Sequence, residues 1–247
     1  MSVRAGLVSV TFRQLSVPEV VDVAAKAGLA AVEWGGDVHV PDVGAAVRTR
    51  DLAADAGLAV AAYGSYYRAG VSDPADFAAA ARVAVALGAP YVRVWAGRLG
   101  SAEATDDYRA AVVRALKAAT GHGVTVAVEY HPNTLTDTLE SALRLFDEVG
   151  PGVVPYWQPW DCHAVDAARA QVRALLPYGL PTVHVFSWDT DGSRLPLSAG
   201  ERLWRTVLDE LSAAPGSYNA LLEFVVDNDP ALLAPEAETL LSWLNSR

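Results

Sequence analysis

The sequence has little of what is needed to bind nucleic acid, form disulfides or cross a membrane. It holds 19 Lys and Arg against 29 Asp and Glu, and this acidic balance opposes binding to phosphate backbones. Cys162 is the only cysteine, so no internal disulfide can form, as is usual in a reducing compartment. No run approaches the roughly 20 apolar residues that span a bilayer, and the segment from Met1 to Gly6 has no apolar leader core. We therefore expect a cytoplasmic protein without nucleic-acid or membrane partners.

The sequence also lacks linkers and low-complexity segments, and no Gly-x-Gly-x-x-Gly motif follows the first predicted strand. The missing glycine motif argues against a dinucleotide-binding fold. The 247 residues match the usual length of one α/β barrel, which predicts a single domain over residues 1–247.

Short β-rich runs alternate with longer segments whose apolar residues recur at intervals of three and four. The predicted strands are Gly6–Thr11, Ala30–Trp34, Ala59–Gly64, Tyr91–Trp95, Thr125–Tyr130, Val153–Gln158, Thr182–Phe186 and Ala220–Val225. The predicted helices are Val17–Ala27, Val43–Ala56, Pro74–Leu87, Thr105–Thr120, Thr136–Val149, Ala164–Leu176, Ala199–Ala213 and Ala231–Asn245. Strands such as Val124–Val128 are apolar on both faces, as in a parallel sheet covered by helices. Eight such units predict a single (β/α)8 TIM barrel with its working surface at the C-terminal ends of the strands.

Three ionisable residues follow apolar strand segments at matching strand ends: Glu129, His184 and Glu223. A carboxylate buried there is costly unless a positive charge neutralises it. Two carboxylates and one imidazole suit Mn²⁺, Mg²⁺ or Co²⁺, with Zn²⁺ as the alternative. Taken singly, such a residue is more often a structural group, for example a glutamate paired with Arg93.

Other strand-end residues predict a substrate site around such a cation. Arg93 is interpreted either as a buried ion-pair partner or as an anchor for substrate. Aromatic side chains could pack in the core or form an apolar wall for a sugar or polyol, and two histidines lie in adjacent loops. The residues predicted to bind substrate are Trp34, His39, Arg93, Trp95, His131 and Trp188. The scarcity of Lys and Arg near the strand ends favours an unphosphorylated substrate.

Four segments together resemble the xylose isomerase-like barrel superfamily, in its sugar phosphate isomerase/epimerase branch. They are Val-Glu-Trp-Gly-Gly in strand two, Ala-Val-Glu-Tyr-His in strand five, Val-His-Val in strand seven and Leu-Leu-Glu-Phe in strand eight. The resemblance implies a divalent metal held by Glu129, His184, Glu223 and a residue of strand six. Where the family has Asp, this chain has Gln158, and Asp161 is the alternative ligand if the strand shifts its register.

The resemblance further implies a metal-dependent isomerase or epimerase of a small sugar, ketose or polyol. Glu129 and Glu223 would remove and return a proton while the metal stabilises an enediolate. One alternative is an inosose-type dehydratase. Another is a barrel that has lost its metal and binds carbohydrate without catalysis. The sequence leaves homo-oligomer formation open.

Overall fold

The computed structural model describes residues 2–246 and confirms the predicted barrel, while Met1 and Arg247 of the predicted domain lie outside the described residues. Eight strands form the barrel: β1 (Ser2–Val8), β2 (Ala31–Gly35), β3 (Ala59–Arg68), β4 (Tyr91–Trp95), β5 (Thr125–Glu129), β6 (Val153–Tyr156), β7 (Thr182–Val185) and β10 (Ser217–Leu222). Eight helices alternate with them: α1 (Val17–Lys26), α2 (Val43–Asp55), α3 (Pro74–Leu87), α4 (Asp106–Ala119), α5 (Leu139–Val149), α6 (Val165–Leu175), α7 (Glu201–Ala213) and α8 (Leu233–Asn245).

All eight barrel strands are parallel, in the order β6-β5-β4-β3-β2-β1-β10-β7. The barrel closes between the two ends of this order through Trp157, which follows β6. The amide of Trp157 donates to the Thr182 carbonyl over 3.2 Å, and its carbonyl accepts from the His184 amide over 2.9 Å. Closure therefore brings the ends of β6 and β7 side by side.

Two predicted strands were placed several residues too late. The first strand begins at Ser2 rather than Gly6, and the last at Ser217 rather than Ala220. These polar residues pair with each other across the two strands, in register Ser2 to Ser217. Gly6 is not a strand boundary. A Cβ there would lie 2.4 Å from the Ala31 carbonyl oxygen, so the glycine permits close strand contact in mid-strand.

The helices begin where side chains satisfy their free amides. Asp42, Asp73, Thr105 and Thr138 each accept a hydrogen bond from a first-turn amide of α2, α3, α4 and α5. Such caps stabilise a helix by about 1 kcal/mol. The apolar faces of the helices pack on the outer face of the barrel to form one large core, and this shell fixes the strand ends that carry the polar residues.

Two features after strands β7 and β10 were not predicted. A short antiparallel hairpin, β8 (Ser187–Trp188) with β9 (Arg194–Leu195), follows β7. The segment after β10 contains three non-glycine residues in the left-handed region, Phe224 (φ 60°), Asp227 (φ 54°) and Asn228 (φ 52°). Such backbone is held only where surrounding contacts determine it, and it is often found at functional sites. Within residues 2–246, no helix has the length and apolarity to cross a membrane.

Candidate active site

A cavity of about 420 Å³ opens at the C-terminal ends of the strands. The end of β5 supplies Glu129, the end of β4 supplies Trp95, and the residue after β10 is Glu223. The remaining lining residues are Val10, Thr11, Arg13, Gln14, Tyr66, Arg93, His131, Pro132, Gln158, Pro159, Trp160, Phe186, Trp188, Arg194, Phe224 and Asn228. The cavity thus lies where this architecture places its chemistry.

A buried ion-pair network centred on Arg93 forms the floor of the cavity. The Arg93 Nε donates to Glu33 Oε1 over 2.8 Å, and its Nη1 donates to Glu129 Oε2 over 2.5 Å. Trp95 Nε1 also donates to Glu129 Oε2 over 2.5 Å. Gly64 leaves room for this network, because a Cβ there would lie 2.7 Å from Glu33 Oε1. Glu129 therefore has one oxygen held by donors and the other, Oε1, directed elsewhere.

His184 connects the network to Glu223. Its side chain is fully buried, and its Nε2 lies 3.0 Å from Glu33 Oε2, which also accepts from the Tyr156 hydroxyl. On the other side of the ring, Nδ1 lies 3.4 Å from Glu129 Oε1 and 3.3 Å from Glu223 Oε2. These two approaches are not aligned as hydrogen bonds, and both His184 Nδ1 and Glu223 Oε2 are buried without a hydrogen-bond partner.

The charges of the cluster shift its pKa values strongly. Burial raises the pKa of Glu129, but Arg93 and His184 outweigh burial and lower this pKa to about 2. The same competition, with Arg93 as the main lowering charge, holds the pKa of Glu33 far below its usual value. For His184, burial lowers the pKa, whereas Glu223 and Glu33 raise it well above the usual range. Glu33 and Glu129 are thus carboxylates, and the imidazole carries a proton when no other cation is near.

The donor set fits a divalent cation on two observations. His184 Nδ1 and Glu223 Oε2 are unsatisfied buried atoms within 3.3 Å of each other, and neighbouring ligands of an octahedral cation at about 2.1 Å stand about 3 Å apart. The cluster holds three carboxylates and one guanidinium: Glu33 and Glu129 pair with Arg93, and Glu223 lies beside His184. A divalent charge beside a neutral imidazole would therefore balance the cluster. Among the described residues, no group of three or more His, Cys, Asp or Glu side chains is arranged so that it could hold a metal ion as it stands.

Aromatic rings form the wall of the cavity above this floor. The Trp95 ring lies 5.5 Å from Tyr66 and 5.5 Å from His131, measured between centroids. On the other side, the rings of Phe186, Trp188 and Phe224 contact one another at 5.2 to 5.7 Å. Trp160 is half exposed at the mouth. Such a wall suits the apolar face of a ring or a carbon chain.

The structure brings most of the predicted site residues together. Glu129, Glu223, Gln158, Arg93, Trp95, His131 and Trp188 line the cavity, and His184 lies directly behind it in contact with both glutamates. Between the two candidates in strand six, Gln158 is buried and lines the cavity. Asp161 is exposed and accepts from the His163 amide over 2.7 Å.

Two residues predicted to bind substrate lie away from the cavity lining. Trp34 is fully buried in the core. His39 is also buried, with Nδ1 3.0 Å from Ser9 Oγ and Nε2 3.1 Å from the Leu15 carbonyl. Trp34 lies within β2 and His39 follows that strand, but neither side chain lines the cavity.

Sequence reasoning missed several residues of the site. Glu33 carried the same signal as Glu129, a carboxylate directly after apolar strand residues, and could have been found by that rule. Tyr156 ends an apolar strand and reads as core until its hydroxyl is seen to donate to Glu33. Arg194 and Phe224 had no signal, because a hairpin and a left-handed residue position them.

A family profile of the xylose isomerase-like TIM barrel matches residues 21–246, and the chain belongs to this family. No curated protein matches the sequence.

Several solved structures share the fold. The probable 3-DHS dehydratase involved in petrobactin synthesis from Bacillus anthracis superposes with a TM-score of 0.83 and 22% identity, over 96% of this chain and 98% of that chain. A D-psicose 3-epimerase crystallised with D-fructose superposes with a TM-score of 0.71 and 15% identity, over 97% of each chain. A xylose isomerase-like barrel from Mycobacterium smegmatis in complex with magnesium superposes with a TM-score of 0.68 and 17% identity, over 95% of this chain and 91% of that chain. At these identities the similarity establishes the fold alone.

Proposed function

We propose that this protein is a divalent-metal-dependent isomerase or epimerase of a small sugar, ketose or polyol derivative. The observation that carries the proposal is the convergence of Glu129 Oε1 and Glu223 Oε2 on His184 Nδ1, at 3.4 and 3.3 Å, behind the floor of an otherwise aromatic cavity. Glu129 and Glu223 come from strands on different sides of the barrel and both line the cavity, so they can act on a bound substrate from two directions.

The chain's own residues provide the acid and base functions. Arg93 and Trp95 hold Glu129 Oε2, which leaves Oε1 to take a proton from carbon or oxygen. Glu223 also lines the cavity and can return a proton from a different direction. Reversal of a carbon centre or transfer of a carbonyl needs such a pair, because removal and return of the proton occur at separate positions.

Glu129, Glu223, His184 and Gln158 would hold the cation, with the Gln158 amide oxygen in place of a carboxylate. When bound, a divalent cation supplies Lewis-acid polarisation of a substrate carbonyl or hydroxyl. Glu33 accepts from His184 Nε2 and directs Nδ1 toward the two glutamates, as carboxylate partners do for metal-binding histidines. Gln158 carries no charge, so we expect a weaker site than one with four charged or imidazole ligands.

A dehydratase is the second candidate. The structure with the TM-score of 0.83 is a probable 3-DHS dehydratase, and elimination of a hydroxyl begins with the same proton removal beside a carbonyl. The aromatic wall also suits a ring substrate. An isomerase and a dehydratase differ in whether the second acid protonates carbon or a leaving hydroxyl.

The test is turnover of a panel of ketoses, inososes and ring-containing hydroxy ketones in D₂O with added Mn²⁺, Mg²⁺ or Co²⁺, followed by NMR. An isomerase or epimerase incorporates deuterium at the exchanged carbon and conserves the substrate's mass apart from that exchange. A dehydratase gives a product lighter by one water. Absence of deuterium exchange and of product across the panel with every metal would contradict both enzymatic candidates and favour a binding protein.

A further inference from the structure

We infer that the substrate of this site carries an anionic group, a carboxylate or a phosphate monoester, bound by Arg194. The inference rests on the proposed function for the identity of the cavity as a substrate site. It concerns a residue outside the acid–base cluster, and it can be tested without turnover.

Three arginines line the cavity, and they differ in their partners. Arg93 pairs with Glu33 and Glu129, and Arg13 pairs with Asp37. Arg194 has no carboxylate partner among residues 2–246: its polar contacts are the Val225 carbonyl at 3.4 Å and Asn228 Oδ1. A cationic side chain that lines the cavity of an acidic protein without a counter-charge is a recognition group for an anion.

The contacts of Arg194 leave one edge of its guanidinium unused. Both hydrogen bonds come from Nη1, so Nε and Nη2 donate to no atom of the described chain. The Nε and Nη2 hydrogens form a planar fork that matches the two oxygens of a carboxylate or phosphate. Lysine would offer a point charge but not this geometry.

The guanidinium is held in place before any ligand arrives. Backbone pairing of Trp188 with Arg194 fixes the hairpin, and Nη1 ties the side chain to the segment after β10. The Phe224 ring lies 4.9 Å from the guanidinium carbon. Arg194 and Glu223 line the same cavity, so one small molecule can place an anionic group on Arg194 and a reacting carbon beside Glu223. Preorganisation of this kind lowers the entropic cost of binding.

Calorimetric titration of the EDTA-treated protein with matched probes tests the inference. The carboxylate pair is D-gluconate against D-glucitol, and the phosphate pair is D-fructose 6-phosphate against D-fructose, with inorganic phosphate as a further probe. We expect one acidic probe to bind at least about tenfold more tightly than its neutral partner, as for a charge-assisted hydrogen-bonded pair. Preference for gluconate identifies a carboxylate, and preference for fructose 6-phosphate and inorganic phosphate identifies a phosphate.

Variants separate recognition from a structural role. Arg194→Gln should abolish the preference while binding of the neutral probe is unchanged, and Arg194→Lys should keep part of it. Arg98→Gln, which removes an exposed arginine outside the cavity lining, is the charge-matched control. This variant should keep the full preference for the acidic probe. If Arg194→Gln weakens the binding of acidic and neutral probes equally, Arg194 only holds the segment after β10 and the inference fails.

Two further results overturn the inference: no acidic probe binds the wild type more tightly than its neutral partner, or the preference survives in Arg194→Gln. Because these titrations use no metal and no turnover, an inactive Glu129–Glu223 pair would leave the outcome unaffected. Conversely, turnover of neutral sugars without any anion preference would overturn this inference and leave the proposed function standing.

Discussion

The floor and the mouth of the cavity are built in opposite ways. The floor is made of largely buried side chains at the strand ends, and each of its carboxylates lies beside Arg93 or His184. The mouth is made of the end of β3 and of loop residues, with Tyr66 and Trp160 about half exposed and with left-handed backbone at Phe224, Asp227 and Asn228. Under the proposed function, the barrel positions the acid and base groups, whereas the residues at the mouth select the molecule that reaches them.

The largest expected effect is on catalysis at the floor. Glu129→Gln and Glu223→Gln should each lower turnover of a processed substrate by about 100- to 10,000-fold, since a neutral amide cannot accept the proton. The fold should persist, because glutamine has the same shape, and Glu140→Gln on the exposed face of α5 serves as control. Steady-state kinetics measures the loss of turnover, and circular dichroism checks that the fold persists. Full activity in either variant would end its assignment as acid or base.

Removal of Arg93 should show how much the floor depends on paired charge. Arg93→Met leaves Glu33 and Glu129 buried without their guanidinium, and the loss of one partner of a buried pair costs about 3–5 kcal/mol. Arg144→Met removes one partner of an exposed pair with Glu148, which should cost at most about 1 kcal/mol. Urea unfolding measures both. Equal losses would show that the buried ion pairs of the floor cost no more to break than an exposed pair on α5.

Low pH should reduce the contribution of the floor's ion pairs to the free energy of unfolding. The folded-state pKa of Glu129 is about 2, below the unfolded value of about 4.3. Its contribution to stability is therefore complete above about pH 5 and is lost as the pH falls toward 2. Urea unfolding from pH 5 to pH 3 should show falling stability, and Arg93→Met should lose this dependence because burial then favours the protonated acid. A flat profile in the wild type would contradict the lowered pKa.

The smallest expected effect lies at the mouth. Asp227 is exposed with φ 54°, and glycine adopts this conformation without the penalty of about 1 kcal/mol or more that other residues incur. Asp227→Gly should therefore raise the free energy of unfolding by up to about 1 kcal/mol, again by urea unfolding. A clear loss of stability would mean that the Asp227 side chain, rather than strain, decides the energy of this segment.

The same contrast explains what the sequence could predict. Tyr91–Trp95 and Pro74–Leu87 match the structure at both ends, because apolar periodicity and a Pro after an Asp cap mark them. Glu129, His184 and Glu223 could be grouped because parallel strands in a barrel end at the same rim. Arg194 and Phe224 could not, since a two-residue hairpin pairing and a left-handed residue carry no pattern of their own. Trp34 and His39 followed the strand-end rule, but the rule gives position along the chain and not the direction of a side chain.

The most direct test of the central claim is titration of Mn²⁺ into metal-stripped protein, followed by calorimetry and electron paramagnetic resonance. The wild type should bind one ion. Glu223→Gln and His184→Gln should each weaken binding at least about tenfold, whereas Glu140→Gln should not change it. If the wild type binds no ion, or if both floor variants bind it as tightly as the wild type, then Glu129, His184 and Glu223 do not form a cation site and the account is contradicted.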